Sequence, residues 1–377
     1  MIYLDYNATT PIAPEVKKAI LPFLEEKFGN PSCTYPLGKQ AKEAIEQARS
    51  QVASLINAQP EEVIFTSGGT ESNNTVFKGI LWVLKEKGRH IITTQIEHPS
   101  VLNPALFMES LGFEVTLIPP NPAGVVEPER IKKAIKKDTT LISVMHANNE
   151  TGTIQPIATI SQIAKEHGII MHTDAAQSLG KIEVDVNALG VDLLTIAGHK
   201  LYAPKGIGAL YVRKGTPFLS FMHGAGQEMG KRAGTENVAL IVGLGKACAL
   251  LQEKIKYKEY LQVARLRDKF WQGLAAKLDV VRFGDVAHCL PNTLFVGFKG
   301  LTGEAVLKAI PEICASTGAA CHSNKVTLSH VLAAMGVDPE VGQGAVRFSL
   351  GYPTTEEEIE TALNLIVNRV SNLLSSI

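Results

Sequence analysis

The sequence predicts an α/β fold with a mostly parallel sheet, and three observations carry that prediction. Short apolar, β-branched runs recur through the middle of the chain, amphipathic charged stretches separate them, and the last third turns to longer helical patterns. Apolar strands alternating with helices build a sheet that is covered on both faces. Taken in order, residues 41–55 carry Ala, Ile and Val at helical spacing among Lys, Glu and Arg, and read as an amphipathic helix. Residues 62–66 are short and β-branched, read as a strand, and run into Ser67-Gly68-Gly69-Thr70 with a helical stretch from Glu71. Residues 90–94, 114–118, 141–145, 169–173 and 193–196 complete the strand series.

The C-terminal third has a different character. Residues 242–278 form a long helical pattern rich in Lys, Glu and Arg, read as a connector leaving the large domain. Beyond it, strands at 293–298 and 345–349 and helices near 304–309 and 356–375 predict a smaller α+β domain. No solenoid repeat and no low-complexity linker interrupt the chain, so the domains are expected to pack closely.

Composition narrows the function classes. At roughly 100–200 residues per domain, 377 residues suggest two or three domains, or one large α/β domain. With 45% apolar and 20% charged residues the chain is globular in type. Lys plus Arg and Asp plus Glu both number 37, and this zero net charge points away from nucleic acid and acidic membrane surfaces. The five cysteines, Cys33, Cys248, Cys289, Cys314 and Cys321, form no C-x-x-C, which argues against a zinc ribbon and leaves no metal site expected. Few scattered thiols fit a reducing compartment. The N-terminal stretch has no apolar core of a signal peptide, and the longest apolar runs fall far short of the ~18 residues of a membrane span. A cytoplasmic protein is expected.

The chemistry lies at the strand ends. Ala197-Gly198-His199-Lys200 follows the apolar run 193–196, and Thr173-Asp174 closes the strand before it. A lysine that forms a Schiff base, with an acid at a neighbouring strand end, is what pyridoxal phosphate needs, because the acid keeps the pyridine nitrogen protonated. Ser67-Gly68-Gly69-Thr70-Glu71 leads from a strand into a helix, where free N–H groups suit a single phosphate. It is neither G-x-G-x-x-G nor a P-loop. His98 and Asn149 also follow strands. Singly, each has a plain alternative role as surface charge, N-cap or turn residue. Together, Thr70, His98, Asn149, Asp174 and Lys200 all sit past strands, along the edge of a parallel sheet where ligands bind.

Over essentially its whole length the chain resembles the cysteine desulfurases, among the class V, fold-type-I pyridoxal-phosphate enzymes. The resemblance rests on Leu4-Asp5-Tyr6-Asn7-Ala8-Thr9-Thr10-Pro11, Phe28-Gly29-Asn30-Pro31-Ser32, Gly226-Gln227-Glu228, Arg232-Ala233-Gly234-Thr235-Glu236-Asn237 and Arg347-Phe348-Ser349-Leu350-Gly351. It implies a large pyridoxal-phosphate domain over 15–250 with a mostly parallel seven-stranded sheet, and a small domain from 1–14 and 251–377. It implies Lys200 as the Schiff-base lysine, Asp174 on the pyridine nitrogen, Gln177 on the ring hydroxyl, and His98 stacked on the ring and assisting proton transfer. Gly69, Thr70 and His199 would hold the phosphate, and Thr235 would reach the phosphate of a partner subunit in a homodimer. Asn149 and Arg347 would orient the substrate, with Arg347 taking its carboxylate in a two-pronged contact.

In Ala315-Ser316-Thr317-Gly318-Ala319-Ala320-Cys321-His322-Ser323, the resemblance makes Cys321 the thiol that attacks the substrate sulfur and becomes a persulfide. The small residues around it suit a mobile, accessible nucleophile, activated by His98, His322 or the substrate amine. Cys314 reads as a strand residue, and Cys33, Cys248 and Cys289 as packing or surface thiols. Two positions depart from the family pattern: Ala197 replaces a serine that contributes a phosphate contact, and Ala225 replaces a glycine. Ala197 and the Ala-Ala-Cys-His around Cys321 also resemble selenocysteine lyases, so L-selenocysteine stands beside L-cysteine as an expected substrate. The expected partner is a sulfur acceptor, for iron–sulfur assembly, tRNA thiolation or another pathway.

Overall fold

Val63–Thr66, His90–Thr94, Thr139–Ser143, Ile170–Asp174, Leu193–Ala197 and Gly208–Val212 are buried almost throughout, because both faces of the sheet they build are covered. With Glu114–Ile118 at one edge they form seven strands, in the order 63–66, 208–212, 193–197, 170–174, 139–143, 90–94, 114–118. Five run parallel to one another. Gly208–Val212 is antiparallel to both its neighbours, and so turns Val63–Thr66 back into the common direction. The mostly parallel sheet expected from the sequence is therefore present, with strand bounds shifted by one or two residues in several places.

Gly208–Val212 was not among the expected strands. It opens on a glycine because a Cβ there would lie 2.5 Å from Ile196 O and 2.7 Å from Gly68 Cα. The glycine is therefore set by the close approach of two neighbouring backbone segments.

A second, four-stranded antiparallel sheet runs in the order 316–317, 345–349, 293–298, 280–282. Phe270, Phe298, Phe348, Ile359 and Ile366 form its buried cluster, supplied by the sheet and by helices Tyr260–Ala275 and Glu356–Ser375. The N-terminus returns to this unit: Ile2–Tyr3 pairs in parallel with Ile313–Cys314, and Leu4 joins the same apolar cluster.

The expected single helix over 242–278 is instead two, Val238–Lys256 and Tyr260–Ala275. Lys258 between them adopts a left-handed φ of 55° that no α-helix continues through. The first helix also belongs to the large unit. Gly243 and Gly245 bring it against Ile20 and Ala48, with a Cβ at Gly245 placed 2.5 Å from Ala48 Cα.

The computed structural model describes residues 1–317, 319–322 and 325–375, and at 319–322 and 325–327 the backbone alone. There Ala319–His322 pairs antiparallel with Lys325–Leu328, with Cys321 opposite Val326. The described backbone on either side of 323–324 is thus a pair of antiparallel strands. The Cys321 thiol and the His322 ring lie outside the described side chains. Among the described residues, Cys33, Cys248, Cys289 and Cys314 are free thiols, Cys314 on a strand as expected. No described helix is long and apolar enough to cross a membrane.

Candidate active site

Parallel strands that end together place whatever follows them side by side. A cavity of about 360 Å³ opens at that edge, a volume that suits a small cofactor with its substrate. Its lining includes Gly69 and Thr70 after one strand, His98 after the next, Asn149 beyond Thr139–Ser143, Asp174 and Gln177 at the end of Ile170–Asp174, and His199 and Lys200 after Leu193–Ala197. Arg347 enters from the second sheet. Thr235 does not line this cavity. It is exposed on the loop before Val238–Lys256, beside Ser67 and Arg232.

Lys200 Nζ donates to the main-chain carbonyls of Asn7 and Ala8, both at 2.6 Å. Burial and the Arg347 guanidinium bring the amine down to about 8, only partly opposed by Asp5 and Asp174. A lysine held there is readily available as a free amine, the form a Schiff base requires. Asp174 Oδ2 accepts from Asn73 Nδ2 at 2.8 Å and Oδ1 accepts from the Ala176 N–H at 2.9 Å. His199 is held neutral, brought to about 4 by burial and by Lys200, Lys205 and His98, with Nδ1 3.2 Å from Thr9 Oγ1. Gly69 and Thr70 open the helix Gly69–Thr75, so their N–H groups have no intrahelical acceptor.

Gln177 is fixed at both ends of its amide. Nε2 donates to Asn7 O at 3.0 Å, and Oε1 accepts from Lys181 Nζ at 2.7 Å. Lys181 also donates to Asn7 Oδ1 at 2.8 Å. It is fully buried and makes no ion pair among the described residues; burial, Lys200 and Arg347 push it well below the usual lysine range. Its two described hydrogen bonds both go to amide oxygens, those of Gln177 and Asn7.

Arg347 is only 8% exposed. It donates from one terminal nitrogen to Asn149 O at 2.9 Å and from the other to Asp5 Oδ1 at 2.8 Å. Among the described residues its Nε has no hydrogen-bond partner. Of the five N–H groups of a guanidinium, three are thus left for a ligand carboxylate. Nearby, Glu97 is buried and raised to about 8, and Glu150 is raised by burial while accepting from Ser329 Oγ at 2.6 Å.

This donor set fits pyridoxal phosphate: a lowered lysine amine, a carboxylate across the cavity, open N–H groups at one end, and a buried guanidinium with an orphaned Nε at the other. Sequence reasoning found most of these groups but missed Asn7, Asn73, Ser100 and Lys181, which hold them in place. Asn7 stood in the quoted N-terminal motif and Ser100 in Glu97-His98-Pro99-Ser100, both without a role, and no local pattern marks Asn73 or Lys181. Among the described residues no cluster suited to a metal ion is present.

The chain is similar to several known proteins over nearly its whole length. The family model described as aminotransferase class-V matches residues 2–362. "Cysteine desulfurase IscS" of Dictyoglomus turgidum is 48% identical over 375 residues, which cover 99% of this chain and 95% of that protein. Among solved structures, a "NIFS-like protein" superposes with a TM-score of 0.93 at 37% identity, covering 98% of this chain and 99% of its own. "SspA in complex with cysteine" gives a TM-score of 0.82 at 38% identity, covering 93% of this chain and 99% of the other.

Proposed function

The chain belongs to the aminotransferase class-V family and, within it, to the cysteine desulfurases, and from that membership we infer how its own residues divide the work of taking sulfur from L-cysteine and leaving L-alanine. It is an enzyme, and pyridoxal phosphate is its cofactor. The observation that carries the reading is the meeting of Lys200, Asp174, His98, Asn149 and Arg347 on one cavity.

Gly69, Thr70 and His199 would hold the cofactor phosphate, Asp174 its pyridine nitrogen, Gln177 its ring hydroxyl, His98 its ring face, and Lys200 its carbonyl carbon. When bound, pyridoxal phosphate supplies an electron sink for charge that develops at the substrate α-carbon. The N–H groups left on Arg347, with the Asn149 side chain, orient the substrate carboxylate and so turn the Cα–H toward Lys200. Lys200, held near pH 8, takes that proton at Nζ and can return it. The Cys321 thiolate attacks the substrate sulfur: an S–S bond forms as the C–S bond breaks, and the electron pair stays on the carbon side. Protonation there leads to alanine, and Cys321 is left as a persulfide.

The same reading assigns the cofactor residues to 15–250 and the thiol to a unit made of 1–14 and 251–377. Thr235, on its exposed loop, would serve the phosphate of a second copy in a homodimer. The persulfide would pass to an acceptor protein, such as an iron–sulfur scaffold, in the cytoplasm.

The test is Cys321→Ala, assayed for alanine formed from L-cysteine, with mass spectrometry for one added sulfur on wild-type Cys321. Turnover is expected to fall by about 100-fold or more. Wild-type turnover in the variant would remove the persulfide step, and a large kcat/KM preference for L-selenocysteine would favour the lyase.

A further inference from the structure

His98 is the N-cap of helix Pro99–Glu109, and its ring Nδ1 accepts the backbone N–H of Ser100 at 3.1 Å. A main-chain amide can only donate, so Nδ1 carries no proton in this arrangement. The Ser100 hydroxyl lies 2.8 Å from the same nitrogen and 2.8 Å from Asn73 Nδ2. Asn73 is fully buried, and its orientation is set from two sides. Its Nδ2 faces the Asp174 carboxylate at 2.8 Å, and its Oδ1 accepts from Thr195 Oγ1 at 2.7 Å. One amide hydrogen therefore goes to Asp174 and the other to Ser100 Oγ, which leaves the serine hydrogen for His98. The direction of donation is unambiguous: Asn73 to Ser100, and Ser100 to Nδ1.

We propose that Ser100, backed by Asn73, is a positioning residue that ties His98 to Asp174 and locks its imidazole with the proton on Nε2. His98 then meets the cavity as a hydrogen-bond donor, and the α-proton falls to Lys200 alone. This refines the desulfurase reading above and rests on it. A proton added at Nδ1 would point at the Ser100 N–H and remove two hydrogen bonds. The surrounding charges act on the same ring: Lys200, His330 and the positive end of Pro99–Glu109 disfavour a charged imidazole, and Asp174 favours it. His98 is exposed by its accessible surface, but desolvation among its neighbours outweighs Asp174 and lowers it from the usual histidine range. Among the described residues nothing hydrogen-bonds Nε2, on a side chain that lines the cavity.

The test is nitrogen NMR of the cofactor-loaded protein carrying labelled histidine, with His98 assigned by its loss in His98→Gln. At about pH 8 the spectra are expected to show a protonated Nε2 and a bare Nδ1. Ser100→Ala is expected to raise the His98 pKa by about 0.5–1 unit, the equivalent of one hydrogen bond, and Ser100→Thr to restore it. A proton on Nδ1 in the wild type, or an unmoved pKa in Ser100→Ala, overturns the proposal. Alanine production is measured on the same samples. Its absence in the wild type would count against the desulfurase reading and leave the histidine result to stand by itself.

Discussion

Asn7 accepts from Lys200 and Gln177 on its carbonyl and from Lys181 and Asn292 on its side-chain oxygen, so one N-terminal residue organises the lysine end of the cavity. Lys181 matters through the same contacts. Lys181→Met would leave Gln177 Oε1 buried without its donor, at a cost of about 1–3 kcal/mol, and free the amide to rotate. Denaturant unfolding should show that loss, and the cofactor should dissociate faster than from the wild type. At the other end, Arg347 shares the Asn149 carbonyl with Asn7, and Arg347→Lys removes the planar fork that matches a carboxylate. KM for L-cysteine is expected to rise about 10–100-fold with a smaller change in kcat. An equal fall in kcat and kcat/KM would mean that Arg347 acts in the transition state instead.

Between elements, a buried ion pair pins the loop that carries Thr235. Arg49 on helix Pro36–Leu55 donates to both carboxylate oxygens of Glu228 at 2.7 and 2.9 Å, and Glu228 also takes the Phe65 N–H at 2.8 Å. Glu228 and Met229 both have positive φ, 46° and 59°, a conformation that side-chain-bearing residues rarely adopt. The pair holds that turn against strand Val63–Thr66. Glu228→Gln leaves the buried Arg49 charge with only the half-exposed Glu46 carboxylate, 3.2 Å from its Nε, as counter-ion, and should cost about 1–3 kcal/mol in denaturant unfolding. A change below about 1 kcal/mol would show that the loop finds another anchor. Arg232 and Glu71 add a second tie from the same loop to the helix that opens at Gly69.

For the whole molecule, the buried histidines predict how stability depends on pH. Burial holds His146 at about 4 and His172 at about 3, so both stay neutral in the fold while the unfolded chain protonates them near 6.5. The unfolded state then binds more protons, and stability falls as pH drops from 6.5 toward those values. Glu97 acts oppositely. Its raised value of about 8 means the fold keeps a proton that the unfolded chain has lost, so its contribution is present below 4.5 and is lost as pH rises toward 8. His98 and His199 are lowered as well and Glu150 is raised like Glu97, so the lowered histidines outnumber the raised carboxyls and leave a net loss on the acid side. His172→Gln should flatten the stability profile below pH 6.5 by up to ~1.4 kcal/mol per pH unit relative to wild type. An unchanged slope would show that His172 is charged in the fold.

Much of this was legible in the chain itself. Strand periodicity and burial are local, so apolar β-branched runs announced the sheet, and Lys200, Asp174, His98 and Thr70 followed from their places after those runs. Gly208–Val212 was not legible, because its opening glycine answers to a backbone across the sheet. The helix over 242–278 was drawn too long for a similar reason: its break is one residue's φ at Lys258, on which the hydrophobic pattern is silent. Asn7 and Lys200 are 193 positions apart, and Asn73 and Asp174 are 101 apart. What the sequence determined by itself is the set of reactive groups and the strand ends that present them, since both depend on neighbours along the chain. What the tertiary structure decided is how those groups are held: the amide directions of Gln177 and Asn73, the N–H groups left on Arg347, and the tautomer of His98. Each depends on donors and acceptors from distant segments, and only the folded chain brings those together.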